Sequence, residues 1–206
     1  MQHVIDYFYT HASPWAYLGH QTFLALADAH DYAVRFRPVL LGPVFSETGG
    51  LPLAKRHPVR QAYRQVELQR WRAKRELPLT PRPAHFPTNP ALADRIALGL
   101  AMDGGPTGAF SQAVFEALWA EDRDIAREEV LRAILERLGV DADKAIDHAN
   151  EKDCVARYEQ NQEDAVMLGV FGSPSYVLHG EVFWGQDRLD LLDDALTSGR
   201  GPYLPD

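Results

Sequence analysis

The stretch Ser13-Pro14-Trp15-Ala16 joins two segments of opposite character. Before it, His3-Val4-Ile5-Asp6-Tyr7-Phe8-Tyr9 is rich in β-branched and aromatic residues and reads as a strand. After it, Trp15, Leu18, Phe23, Leu26 and Ala27 recur at roughly helical spacing. Ser13 therefore falls at a helix N-cap, with Pro14 at the first helical position, where its missing N–H costs nothing. The first turn of such a helix presents backbone N–H groups without intrahelical acceptors, and the macrodipole makes that end positive. A hydroxyl there can cap the helix or meet an anion.

Beyond the helix, Ala33-Val34-Arg35-Phe36-Arg37 alternates as a second strand, with Pro38 to Leu41 as its extension. Strand, helix and strand make a β-α-β unit with parallel strands and a right-handed crossover. Gly42-Pro43 and Thr48-Gly49-Gly50-Leu51-Pro52 read as turns. Helical patterns follow. Val59, Tyr63 and Val66 form one stripe, continued by Trp71, and the proline-rich link Leu77 to Pro83 stops that helix. Asn89 caps a helix with Leu92, Ile96 and Leu100 on one face, and Thr107 caps another with Phe110, Val114 and Leu118 inward. Leu131, Ile134 and Leu138 mark the next, Asp141 caps one more, and a last runs to about Leu168, ending at Gly169.

Strands return with Tyr176-Val177-Leu178 and Glu181-Val182-Phe183-Trp184, joined at His179-Gly180 as a two-residue hairpin. A final helix carries Leu189, Leu192 and Leu196 on one face. The order is β-α-β, a helical block, then β-β-α. This is an α/β chain in which residues 1–42 and 169–206 build one four-stranded sheet and residues 43–168 form a helical insertion.

The 46% hydrophobic fraction of the 206 residues excludes wholesale disorder, and a net charge of −8 argues against nucleic acid as a partner. No apolar run reaches the ~20 residues of a membrane span. No secretory leader is read in Met1 to Asp6, and a lone cysteine, Cys154, permits no intrachain disulfide, so a cytoplasmic setting is expected. Cys154 reads as an inert thiol and His11 as a surface or turn histidine. Ser13 lies outside a Gly-x-Ser-x-Gly elbow, and the eight histidines show no metal-ligand spacing, so neither a hydrolase nor a metal site is expected.

Ser13-Pro14-Trp15-Ala16-Tyr17-Leu18, the helical insertion and Val170-Phe171-Gly172-Ser173-Pro174 together resemble a thioredoxin-like fold of the DsbA-like branch. Within it, Gly42 to Gly50, Glu67-Leu68-Gln69-Arg70-Trp71, His85-Phe86-Pro87-Thr88-Asn89 and Trp184-Gly185-Gln186-Asp187-Arg188-Leu189 resemble, in order, the 2-hydroxychromene-2-carboxylate isomerases and the related kappa-class glutathione transferases. Redox members carry Cys-x-x-Cys where this chain has Ser-Pro-Trp-Ala, so this turn cannot exchange disulfides.

The resemblance implies glutathione as cofactor, with the Ser13 hydroxyl donating to its sulfur and the helix N-terminus favouring the thiolate. It implies a cis Ser173-Pro174 bond that leaves the Ser173 backbone free for the cysteinyl backbone of glutathione. It places Asp187, beside Gln186, at the γ-glutamyl end; Asp187 also reads as a plain N-cap. Many members of the family it resembles carry a lysine and an asparagine where this chain has Ser46 and Gly50, and Lys55, Arg56 and Arg60 are the cations nearby in sequence. Trp15, Tyr17, Phe45 and Trp184 are candidates for an apolar pocket wall. The implied activity is a glutathione-dependent cis–trans isomerisation of an aromatic or unsaturated keto acid by a homodimer. The alternatives are kappa-like conjugation to an electrophile and a non-catalytic glutathione-binding module.

Overall fold

In a computed structural model describing residues 3–205, strand β1 (Val4–Tyr9) is the spine of the sheet. Ile5, Tyr7, Phe8 and Tyr9 are all fully buried, so apolar side chains leave both faces of β1, as a central strand requires. β1 pairs in parallel with β2 (Ala33–Pro38), from Val4 opposite Ala33 to Tyr9 opposite Pro38. Its other edge pairs antiparallel with β3 (Ser175–Leu178), which pairs with β4 (Glu181–Trp184), giving the order β2-β1-β3-β4. The β3–β4 turn is His179-Gly180, both at positive φ (51° and 89°), as a two-residue hairpin of this twist demands.

Helix α1 (Pro14–Ala29) packs on an aromatic layer of the sheet. The Tyr7 ring stacks between Tyr9 (4.4 Å) and Tyr176 (5.5 Å), and Phe23 of α1 closes on both Tyr7 and Tyr176. Burial raises the Tyr7, Tyr9 and Tyr176 phenols above their ordinary pKa, so they are neutral. Helix α9 (Leu189–Ser198) buries Leu189, Leu192 and Ala195 on the same core, with Leu196 half-buried beside them.

Between β2 and β3 come α2 (Leu41–Thr48), a short 3-10 turn at Leu53–Lys55, α3 (Pro58–Arg75), α4 (Ala91–Met102), α5 (Thr107–Trp119), α6 (Glu128–Arg137), α7 (Ala142–Asn150) and α8 (Lys152–Met167). α4 and α5 begin within a residue of expectation, but their N-caps are Pro90 and Pro106, not Asn89 and Thr107; Asn89 Oδ1 still accepts from Ala91 N (3.1 Å), and Thr107 is the first residue of α5. Asp141 caps α7 through Lys144 N, and Gly169 follows α8 in the left-handed region (φ 76°).

Two expectations fail. β2 stops at Pro38, and Leu41 to Thr48 is helix, not strand extension and turn. Gly42-Pro43 is no breaker there, because a proline in a first helical turn sacrifices an N–H that has no partner anyway. Gly49, left-handed at φ 77°, ends the helix. On α3 the stripe Val59, Tyr63 and Val66 faces outward, at 65%, 58% and 42% exposure, while the helix buries only Leu68 and half-buries Trp71. Spacing revealed the helix but not which face it buries.

Candidate active site

Ser13 is the N-cap of α1, in extended backbone (φ −97°, ψ 115°), and Pro14 occupies the first helical position. Its Oγ accepts from Ala16 N (3.2 Å) and donates to the carbonyl of Ser173 (3.0 Å). Trp15 N–H of the same turn has no acceptor within the helix. No acidic residue lies in the first turn of α1, so the positive end of the dipole is not neutralised from within the helix.

Ser173-Pro174 is cis. The loop that carries it is bonded to the Ser13 turn twice, since Thr10 N also donates to Ser173 Oγ (3.2 Å). Ser13, Ser173 and Pro174 are therefore brought together as expected. One detail differs: the Ser173 carbonyl is not free but holds the Ser13 proton. On the far side, Gly185 N donates to Pro174 O (2.9 Å). Trp184, half exposed, covers Gly172 so closely that a Cβ there would lie 2.3 Å from the indole nitrogen. Phe171 packs tilted against Trp184 at 4.7 Å, so an exposed aromatic pair flanks the cis-proline loop.

Beneath the turn lies a polar cluster that sequence reasoning missed. Asp94 of α4 is fully buried. Its Oδ1 accepts from His11 N (3.0 Å) and His11 Nδ1 (2.6 Å), and its Oδ2 from Thr10 Oγ1 (2.9 Å) and the Tyr158 hydroxyl of α8 (3.0 Å). A buried carboxylate is tolerated when its lone pairs are filled in this way. Burial together with Asp94 raises the Tyr158 phenol far above its ordinary pKa, so it stays a donor. His11 is thus a core residue, not a surface one: its carbonyl accepts from Trp119 Nε1 (3.2 Å), and its ring meets Phe115 at 4.9 Å. Asp94 ties the helical insertion to the two residues that lead into Ser13. A signal existed, for Asp94 and Arg95 are the only charges in the otherwise apolar run Ala91–Met102.

Gln186 and Asp187 sit in a 3-10 turn (Gln186–Arg188) before α9. Gln186 is buried, its Cβ pressed on Gly19 of α1, where an added Cβ would come within 2.5 Å. Its Oε1 accepts from Arg75 Nη2 (3.0 Å). Asp187 does not cap α9, because Arg188 is the N-cap and the Asp187 carboxylate pairs with Arg188 Nη1 (2.5 Å). Gly50 lies under the Phe45 ring: a Cβ on Gly50 would be 2.2 Å from Phe45 Cδ1. An asparagine at position 50 would displace that ring. Tyr17 is buried, its hydroxyl donating to Pro78 O (2.7 Å), and Trp15 is half-buried against the core.

Cys154 is buried, donates to Arg95 O (3.4 Å) and is pushed up to about 11 by burial, which removes it as a nucleophile. His148, Glu151 and Asp153 bring ligand atoms within 4.8 Å of one another, but both acids are exposed and His148 Nδ1 is already bonded to Asp103 (3.1 Å). Among the described residues no helix is long and apolar enough to cross a membrane.

Residues 4–197 match the family of DSBA-like thioredoxin domains. A 2-hydroxychromene-2-carboxylate isomerase of Pseudomonas sp. (strain C18) is 30% identical over 196 residues, covering 94% of this chain and 90% of that protein. Glutathione S-transferase kappa 1 of Rattus norvegicus is 22% identical over 98% of this chain and 95% of its own. A solved structure of a 2-hydroxychromene-2-carboxylate isomerase superposes with a TM-score of 0.81, at 27% identity, covering 95% of each chain. The chain is a DsbA-like thioredoxin-fold protein and belongs to the 2-hydroxychromene-2-carboxylate isomerase family.

Proposed function

We propose that this chain is a glutathione-dependent cis–trans isomerase of an aromatic or unsaturated keto acid of the 2-hydroxychromene-2-carboxylate type. The observation that carries the reading is the Ser13 hydroxyl at the open N-terminus of α1, facing the Ser173 carbonyl across 3.0 Å in a turn without cysteine. The residues present suit glutathione: a hydroxyl donor, an unsatisfied helix N–H, no acid in the first turn of α1, and a backbone edge at Ser173. When bound, glutathione supplies the thiolate nucleophile that the protein lacks, whose reversible addition to a conjugated double bond permits rotation about it.

Ser13 has one proton, now given to a neutral carbonyl. A charged acceptor forms the stronger hydrogen bond, so Ser13 turns to it and releases the Ser173 carbonyl to accept a ligand N–H. That exchange keeps the hydrogen-bond count level and gives Ser13 a stabilising role that grows with negative charge. Asp94 holds Thr10 and His11, and so the Ser13 backbone, during the exchange. Gln186, committed to Arg75, shapes the wall by packing on Gly19; Asp187 is reachable for a ligand ammonium once Arg188 releases it. The kinship with kappa transferases favours conjugation as a second activity of the same turn. Homodimer formation is inferred from kinship and from the exposed α3 stripe, and sedimentation tests it.

The test is turnover of 2-hydroxychromene-2-carboxylate by the wild type and Ser13→Ala, each with and without glutathione. Turnover requires glutathione, and Ser13→Ala lowers kcat about 10²–10³-fold, the usual cost of one charge-stabilising donor. Turnover without glutathione, or an unaffected Ser13→Ala, overturns the proposal.

A further inference from the structure

Eight of the 21 lysines and arginines of this acidic chain lie between Lys55 and Arg75, with Glu67 the only acid among them. Most are ordinary surface charges. Lys55 and Arg60 are exposed, and Arg70 pairs with Glu67, the one anion available on α3. Arg72 and Arg75 are bonded to the Leu79 carbonyl and to Gln186. Arg56 and Arg64 differ. Both are half-buried, and neither forms an ion pair with a carboxylate among the described residues. The Arg64 guanidinium lies over the Phe86 ring at 5.6 Å, and that of Arg56 over Phe45 at 6.0 Å, with Arg56 Nε donating to Leu51 O (2.8 Å).

A guanidinium withdrawn from water without a counterion costs free energy, and a second one nearby raises the cost. The molecule registers both: burial, then the neighbouring Arg56, pull Arg64 down to about 10. A cation–π contact with phenylalanine returns only part of this. The pair also adjoins the Ser13 turn. The Phe86 ring packs tilted against Trp119 at 5.1 Å, and Trp119 Nε1 donates to the carbonyl of His11, two residues before Ser13. Cations without a carboxylate partner among the described residues, bedded on aromatic rings, form a receptor for an aromatic acid: the guanidinium fork takes its carboxylate and the ring edges border its body.

We propose that Arg64, backed by Arg56, binds the carboxylate of the substrate, and that Phe86 and Phe45 border the space for its aromatic body. The assignment rests on the isomerase reading of the Ser13 turn, but its chemistry is separable from glutathione. Calorimetry of chromone-2-carboxylate and its uncharged chromone-2-carboxamide tests it, on the wild type, Arg64→Gln, Arg64→Lys and Arg56→Gln. Arg64→Gln weakens the carboxylate about 10- to 100-fold, as loss of a charged hydrogen bond does, and leaves the carboxamide within about twofold. Arg64→Lys recovers part of the loss, Arg56→Gln costs less, and S-hexylglutathione binds all four proteins alike. The proposal is overturned if the wild type binds neither chromone, if Arg64→Gln retains the carboxylate, or if it loses both chromones equally, which makes Arg64 mere packing. If S-hexylglutathione binds none of the proteins while the chromones still discriminate, the cofactor reading falls and this subsite stands.

Discussion

The turn Thr10–Ser13 and the segment Leu51–Arg64 are linked through Phe86 and Trp119 and are built on opposite terms. In the turn, each oxygen of the Asp94 carboxylate accepts two hydrogen bonds, and Ser13 both accepts and donates. In the segment, Arg56 and Arg64 are half-buried beside aromatic rings and have no carboxylate partner among the described residues. The saturated region spends its hydrogen bonds on holding its own shape, so its residues are rigid and positioned. The unsaturated region keeps interactions in reserve for a ligand. A substitution in the first should cost stability; one in the second should cost binding and leave the fold alone.

The largest effect expected from breaking this contrast is at Asp94. Asp94→Ala strips four donors of their acceptor in a fully buried site. The loss should be about 3–5 kcal/mol, a drop of roughly 10 °C in Tm, read by thermal denaturation followed by circular dichroism. A variant within about 1 kcal/mol of wild type would show that the cluster is not what fixes the turn. Arg64→Gln on the other side should leave Tm within a degree or two, since half-exposed positions away from hydrogen-bond networks shift stability little.

A second probe of the saturated side is pH. His20, on the buried face of α1, is held by burial at about 4, below its ordinary 6.5, with Nε2 on the Gly108 carbonyl (3.0 Å). Between pH 6.5 and about 4 the unfolded chain binds a proton that the folded chain refuses, so stability falls as pH falls through that window. About 2 kcal/mol from this group should be gone at pH 5 relative to pH 7.5. Urea denaturation at both values, on the wild type and His20→Gln, isolates it: the variant's loss on acidification should be smaller by that amount, and equal losses would refute the assignment.

Smaller still is Gly50→Ala. The new Cβ collides with Phe45, not with backbone, so the ring must move, and a cost of about 1 kcal/mol is expected. Because the same ring borders Arg56, a two- to threefold weaker KM for the carboxylate substrate should accompany it in steady-state kinetics. The smallest effect belongs to Val59→Ser on the exposed α3 stripe, which should change monomer stability by less than about 0.5 kcal/mol in urea.

The sheet and α1 were legible because each rests on local pattern: alternation, an N-cap serine before a proline, a two-residue turn with residues that accept positive φ. Ser13 facing Ser173 was legible only through kinship, since 160 residues separate them. What stayed hidden shares one cause. His11 and Asp94 lie 83 residues apart, and nothing local announces that two polar side chains will meet in a core. The same holds for Arg64, whose guanidinium lies over Phe86, 22 residues further along the chain. Periodicity also cannot choose between faces when charges and apolar residues interleave, as on α3.

The most direct test of the central claim is the ultraviolet absorbance of the thiolate of protein-bound glutathione, titrated with pH for the wild type and Ser13→Ala. The bound thiol should titrate at least one unit below free glutathione on the wild type, and Ser13→Ala should return most of that shift. A bound thiol that titrates like the free one on both proteins would contradict the claim.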